Sequence, residues 1–319
     1  MSLTQVTRQS TFRTYTWSDK KERTQRLGLV NFVDKADENL WGVYSIHKQM
    51  KKFDMLPTVE HIAVVYKDIS PTSRALLEEW LGLEQVREID RNFIVDKVHD
   101  DLRQGDFLKT EAFNMTEFDK LIVLDNSVLI RQSLMHWFDY PTPASTQACG
   151  VIEWNSGAMV IEPETSLYNT LLNYIPRSRP WLPSKDKGED TWNSNRGQQG
   201  FLSAFLTSNV TEHSMYTMSY SSTILSSDLE DAKPNNYYWK FRPWVIETVH
   251  FSRHKPWKPN TRTYSPAVCA MLQEWAITVA DAPKHKLPAL PNFLRKCGKK
   301  SEGEDARIQA EREARFTNE

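Results

Sequence analysis

The chain of 319 residues carries 40 Lys and Arg against 41 Asp and Glu, a balance that provides no field to attract nucleic acid or an anionic membrane. It lacks an apolar run long enough for a membrane span, and its start, MSLTQVTRQSTFRTYTW, lacks the apolar segment of a secretory signal, so a cytoplasmic location is expected. Cys149, Cys269 and Cys297 lie far apart without metal-type spacing, and their odd number leaves at least one thiol free in a monomer, as fits a reducing compartment.

Residues 1–24 read as an extension ahead of the first patterned segment. Leu27 to Val33 is strand-like, and Asn31 to Asp34 at its end stand where a ligand would be met in an open sheet. Leu40, Val43, Ile46 and Met50 then recur at helical spacing, closed by Lys51 and Lys52. His61 to Tyr66 is a second strand, followed by Ser70-Pro71, an N-cap and first-turn pair that opens a helix ending at Gly82. A third strand spans Gln85 to Ile89, and Leu108, Ala112 and Met115 mark one face of a helix. The run Leu121 to Leu124 predicts a central strand buried on both faces of a mostly parallel sheet.

Further on, Gly157 to Ile161 predicts a strand and Glu164 to Leu172 a helix. Pro176 to Arg196, rich in proline and charge, reads as a long loop, and Phe201, Leu202, Phe205 and Leu206 as a helix face. Val245 to His250 is the last strand before a loop from Phe251 to Asn260. The alternation predicts one α/β domain over 25–262, a C-terminal helical extension packed on it over 263–298, and a charged tail over 299–319, helical or disordered.

In such a sheet ligands bind beyond the carboxyl ends of the strands, which puts Asp125, directly after Leu124, first among the candidates. Five ordered motifs accompany it: Phe107-Leu108-Lys109, Asp125-Asn126-Ser127, Trp154-Asn155-Ser156-Gly157, Gln198-Gln199-Gly200 and His250-Phe251-Ser252-Arg253-His254-Lys255-Pro256-Trp257. In this order they resemble those of the glycogenin-like glycosyltransferases of family 8. The resemblance implies a GT-A fold, a Rossmann-like α/β/α sandwich, and transfer of a hexose, most commonly glucose, from a UDP-sugar with retention of configuration.

It further implies a divalent cation, usually Mn2+, on Asp125, Ser127 and His250. Asp34, Lys109, Asp125, Asn126, Gln199, Gly200, Arg253 and Lys255 are implied contacts for the nucleotide-sugar, and Lys255, Gln198 and Asn155 are implied catalytic groups. The acceptor would be a glycan, a protein or a small molecule, and a homodimer is compatible with the family. No nucleic-acid partner is expected.

Three positions depart from the family pattern. Ser127 stands in place of a metal-binding Asp, Gln198 in place of the acid of Asp-Gln-Gly, and Arg253 in place of Gly. A neutral hydroxyl binds a hard cation more weakly than a carboxylate, whereas a guanidinium at the diphosphate replaces part of the cation's charge. The alternative expectation is therefore a catalytically inactive nucleotide-sugar-binding or scaffold protein on the same fold.

Overall fold

The computed structural model describes residues 25–33, 39–90, 104–147, 154–179, 192–193, 198–207, 215–229, 243–252, 255–257, 264–282 and 287. The extension over 1–24 and the tail over 299–319 lie outside them. In chain order come β1 (Leu27–Val33), α1 (Leu40–Lys52), β2 (Val59–Tyr66), α2 (Pro71–Leu81), β3 (Val86–Ile89), a 3-10 segment (Gln104–Asn114), β4 (Lys120–Leu124), β5 (Val128–Ile130), β6 (Ala144–Gln147) and β7 (Trp154–Ile161). There follow α3 (Thr165–Tyr174), β8 (Ser178–Arg179), β9 (Trp192–Asn193), α4 (Gln198–Thr207), β10 (Tyr216–Thr217), β11 (Thr223–Leu225), β12 (Thr248–His250) and α5 (Pro266–Thr278).

The main sheet has seven strands in the order β10-β6-β7-β4-β1-β2-β3, with β4, β1, β2 and β3 mutually parallel and β7 antiparallel to β4. Alternate residues of each central strand face opposite layers. Val30, Phe32, Ile62, Val64, Leu121 and Val123 pack towards the 3-10 segment, α3 and α4. Val33, Ala63 and Val65 meet α1, α2 and α5 on the other face. The result is an α/β/α sandwich, as the alternation of apolar runs predicts. Ser70 caps α2 by accepting from Ser73 N at 3.1 Å, with Pro71 in the first turn.

Several local expectations change. The segment at Leu108 and Ala112 keeps its buried face but winds as 3-10 turns, and Thr110 Oγ1 donates to Phe107 O at 2.6 Å within that tighter turn. β7 begins at Trp154 because Trp154 pairs with Gln147, so Asn155, Ser156 and Gly157 lie within a strand rather than ahead of one. The last strand is confined to Thr248–His250, since Pro243–Val245 forms a 3-10 turn. It belongs to a separate sheet of three strands, β11-β12-β5.

The C-terminal helix α5 is held in two ways. Trp275 meets Trp41 and Trp257 with ring centroids 6.5 and 6.0 Å apart, and Arg131, just after β5, makes a two-point contact with Glu274 at 2.8 and 3.1 Å. Cys269 on this helix is disulfide-bonded, which a reducing compartment disfavours. Alkylation of the denatured, unreduced chain is expected to label one of the three cysteines, and labelling of all three would exclude the bond.

One polar group crosses the apolar layers. Asn31 Nδ2 donates to Leu124 O at 2.7 Å, Asn31 Oδ1 lies 2.7 Å from His61 Nε2, and His61 Nδ1 lies 3.3 Å from His47 Nδ1. Burial, reinforced by His47 in the one case and by Lys51 and Lys48 in the other, lowers His61 well below the ordinary 6.5 and also lowers His47. The folded chain therefore refuses protons that the unfolded chain accepts. Stability is expected to fall as pH drops below 6.5, by up to about 1.4 kcal/mol per pH unit for each such proton. Urea titrations between pH 7 and about 5 check this, and a His61→Gln chain should lose part of the slope.

Candidate functional site

Asp125 sits at the carboxyl end of β4, where its N–H donates to Gly157 O at 2.9 Å and its carbonyl accepts from Val128 N at 3.0 Å. The second contact turns the chain directly into β5. Two elements grip this turn. Asn126 Nδ2 donates to Phe32 O at 2.8 Å, and Ser127 O accepts from Phe251 N at 2.8 Å, so β1 and the end of β12 are tied to the same three residues. From the other side α1 packs so closely that a Cβ at Gly42 would lie 2.0 Å from Asn126 O.

His250 reaches the turn through the small sheet, since β12 pairs with β5 and sets His250 opposite Val128. Its Nε2 is 3.2 Å from Asp125 Oδ2, and its Nδ1 is 3.2 Å from Asn155 Oδ1. Asn155 Oδ1 also accepts from Gly157 N at 3.0 Å, which identifies it as the oxygen. His250 Nδ1 must then donate. In a neutral ring that leaves a lone pair on Nε2, and His250 Nε2 is among the buried atoms without a hydrogen-bond partner. A carboxylate oxygen and an imidazole nitrogen thus face each other at 3.2 Å, an arrangement suited to a cation or a proton between them.

Charge around this pair is cationic. Lys109, from the 3-10 segment, forms an ion pair with Asp125 Oδ1, and its ammonium is 3.4 Å from Ser156 O. Lys255 Nζ donates to Ser127 Oγ at 2.5 Å. Burial by itself would raise the Asp125 carboxyl, but the neighbouring positive charge, Lys109 foremost, outweighs it and holds the group far below the usual carboxylate range. For His250, burial dominates and lowers the ring despite the pull of Asp125, so the neutral form is favoured. Trp257, buried against Trp275, anchors the short segment that presents Lys255.

Of the residues singled out by sequence, Lys109, Asp125, Asn126, Ser127, Asn155, His250 and Lys255 converge here. Gln199 and Gly200 lie in the first turn of α4, which is fastened to β7 by Ser203 Oγ accepting from Trp154 N at 2.8 Å. Gln198 opens that helix; its side chain, together with Asp34 and Arg253, lies outside the described residues. Asn31, placed by sequence at the nucleotide end of β1, instead turns its amide inside, towards Leu124 and His61.

The donor set fits a divalent cation in part. Asp125 and His250 supply two good ligands, whereas Ser127 offers a hydroxyl engaged by an ammonium. Among the described residues no group of three or more His, Cys, Asp or Glu side chains gathers at one point. A cation here would need oxygens from a ligand to complete its shell.

The role of Gly42 and of Gly157 was not legible in the sequence. At Gly157 a Cβ would lie 2.3 Å from His250 Cε1 and 3.0 Å from Asp125 Oδ2. Gly157→Ala is expected to displace the ring and cost about 3 kcal/mol or more. Urea unfolding measures the loss and the imidazole resonances of His250 the displacement; an unmoved ring would show that the strand and histidine do not touch.

No family model matches the chain. It is similar to UDP-glucuronate:xylan alpha-glucuronosyltransferase 1 of Arabidopsis thaliana, with 26% identity over 205 residues that span 63% of this chain and 28% of that protein. It is also similar to glycogenin-1 of Saccharomyces cerevisiae, with 25% identity over 170 residues, 47% of this chain and 25% of glycogenin-1. The chain thus spans well under half the length of these relatives. Among solved structures, an active-site mutant of LgtC superposes with a TM-score of 0.53 at 14% identity, covering 84% of this chain and 99% of LgtC. The bifunctional glycosyltransferase WbbM superposes at 0.56 with 12% identity, covering 83% and 51%. By sequence the chain is similar to glycogenin-like glycosyltransferases of family 8, and its architecture is the GT-A fold.

Proposed function

We propose that the chain transfers a hexosyl group from a UDP-sugar to a glycan, protein or small-molecule acceptor with retention of configuration. The observation that carries this is the Asp125–His250 pair, two acceptor atoms 3.2 Å apart with Lys109 and Lys255 on either side, at the end of β4. Departure of UDP concentrates negative charge on its β-phosphate. Two fixed ammonium groups in a partly water-excluded recess stabilise that charge more than the ground state. Asn155 holds the His250 ring through Oδ1, and its buried Nδ2, which has no hydrogen-bond partner, is a donor for a substrate oxygen.

Asp125 and His250 would hold a Mn2+ ion, with Ser127 a weak third ligand. When bound, the ion supplies Lewis-acid stabilisation of the leaving diphosphate. Asn126, Gln199 and Gly200, with Asp34 and Arg253, are assigned to the nucleotide-sugar, and Gln198 to the acceptor side. The sugar is a hexose or its uronic acid: glucose follows from the glycogenin likeness, and glucuronate from the similarity to the xylan glucuronosyltransferase. Cytoplasmic residence requires that the Cys269 bond be reduced in the cell. No helix among the described residues is long and apolar enough to cross a membrane.

A second reading, an inactive nucleotide-sugar-binding protein, is favoured by one contact. The Lys255 ammonium rests on Ser127 where a second carboxylate would have drawn a cation. Calorimetric titration separates the readings. UDP is expected to bind more tightly with Mn2+ than with a chelator, and UDP-glucose or UDP-glucuronate to be slowly hydrolysed. Absence of UDP binding in both conditions would overturn the nucleotide site. Binding without hydrolysis, with hydrolysis gained in the Ser127→Asp, Gln198→Asp double variant, would decide for the inactive reading.

A further inference from the structure

We propose that Asn31, locked by the His61–His47 pair, is a positioning residue for Asp125; the proposal rests on Asp125 being the cation and nucleotide ligand. The structural basis is a single peptide unit. The C=O of Leu124 and the N–H of Asp125 belong to one rigid plane. The N–H pole is fixed by Gly157 O at 2.9 Å, and the C=O pole is fixed by the Asn31 side chain at 2.7 Å. With both poles held, rotation of the plane is blocked, and the bond from which the Asp125 side chain departs is aimed at His250.

Asn31 can do this in one orientation of its amide. Turned over, it would set its oxygen against the Leu124 oxygen, two acceptors with no hydrogen between them. The two orientations have nearly the same shape, so packing cannot choose between them. His61 does. A carbonyl only accepts, so Asn31 Nδ2 faces Leu124, and Asn31 Oδ1 must receive the hydrogen of His61 Nε2. His61 Nδ1 is then the bare nitrogen, and His47 Nδ1 supplies the hydrogen between the rings. Every donor along Leu124, Asn31, His61 and His47 is assigned by the acceptor before it.

Burial shows that this arrangement is kept dry. Asn31 is 0% exposed and His61 3% exposed, in strands whose buried side chains are otherwise apolar apart from the tip of Tyr66. An apolar residue at either position would satisfy the core at lower desolvation cost. Asn126 laces the same strands in the opposite sense, from the turn back to Phe32 O. His47 closes the chain at a half-buried end, where Lys48 and Lys51 and burial lower its proton affinity. A proton on its outer nitrogen leaves the Nδ1 hydrogen in place, so the assigned direction survives the titration of that ring.

The full-length chain is compared as wild type, His61→Leu and His61→Gln. Glutamine places an amide N–H close to the position of the imidazole Nε2, whereas leucine removes the donor. Two readouts are taken at a temperature where circular dichroism shows all three folded: the Kd of UDP with Mn2+, and the 15N imidazole resonances of His250. His61→Leu is expected to weaken UDP by about 10-fold or more and to shift the His250 signals, while His61→Gln stays within about threefold of wild type with His250 unmoved. Wild-type spectra should show His61 protonated on Nε2 and bare on Nδ1.

The proposal is overturned if both variants behave as wild type, or if both lose binding equally, which would mark a packing role only. If the wild type binds no UDP, the nucleotide reading fails instead. The positioning role is then judged by His250 alone: a shift in His61→Leu absent from His61→Gln supports it, and any other pattern overturns it.

Discussion

A half-buried carboxylate facing a neutral imidazole is the constraint around which this molecule is arranged. Taking the charge of Asp125 out of water costs several kcal/mol unless it is matched; two lysines match it, and three distant segments in all converge on it. Lys109 comes from the 3-10 segment ahead of β4, His250 from the small sheet, and Lys255 from the loop anchored by Trp257. Each must be brought to one end of β4, so the order of strands in the main sheet and the second sheet beside it both serve that convergence.

The frame of the fold was readable from the sequence because the core strands alternate between two apolar layers and α2 announces itself with Ser70-Pro71. The winding of Gln104–Asn114 was not, since Leu108, Ala112 and Met115 fit a helical stripe whose spacing does not separate 3-10 from α turns. Motif order singled out residues that the fold brings together: Lys109, Asp125, Asn155, His250 and Lys255 meet. What motif order could not give was the close approach of strands and helices. Gly42 and Gly157 are ordinary glycines in a sequence, and their neighbours at 2.0 and 2.3 Å come from remote segments. Asn31 and His61 left a fainter signal, as single polar residues at the end of one apolar run and the start of another.

The serine at 127 changes the electrostatic character of the site rather than its shape. With one carboxylate and two ammonium groups, the recess is net positive before any cation enters, if His250 is neutral. Such a recess favours a diphosphate directly and lowers the affinity for a free cation. A cation and a nucleotide would then arrive as partners, each supplying what the other needs.

The short distance in sequence between Asp125 and β5 has a mechanical meaning. Because β5 starts within three residues of the carboxylate and is laddered to β12, the frame that joins Asp125 to His250 is only a turn and one strand pair wide. The two groups are therefore held as one preformed pair, whose spacing is set by the fold, so that a ligand meeting both would not bear the entropy of bringing them together.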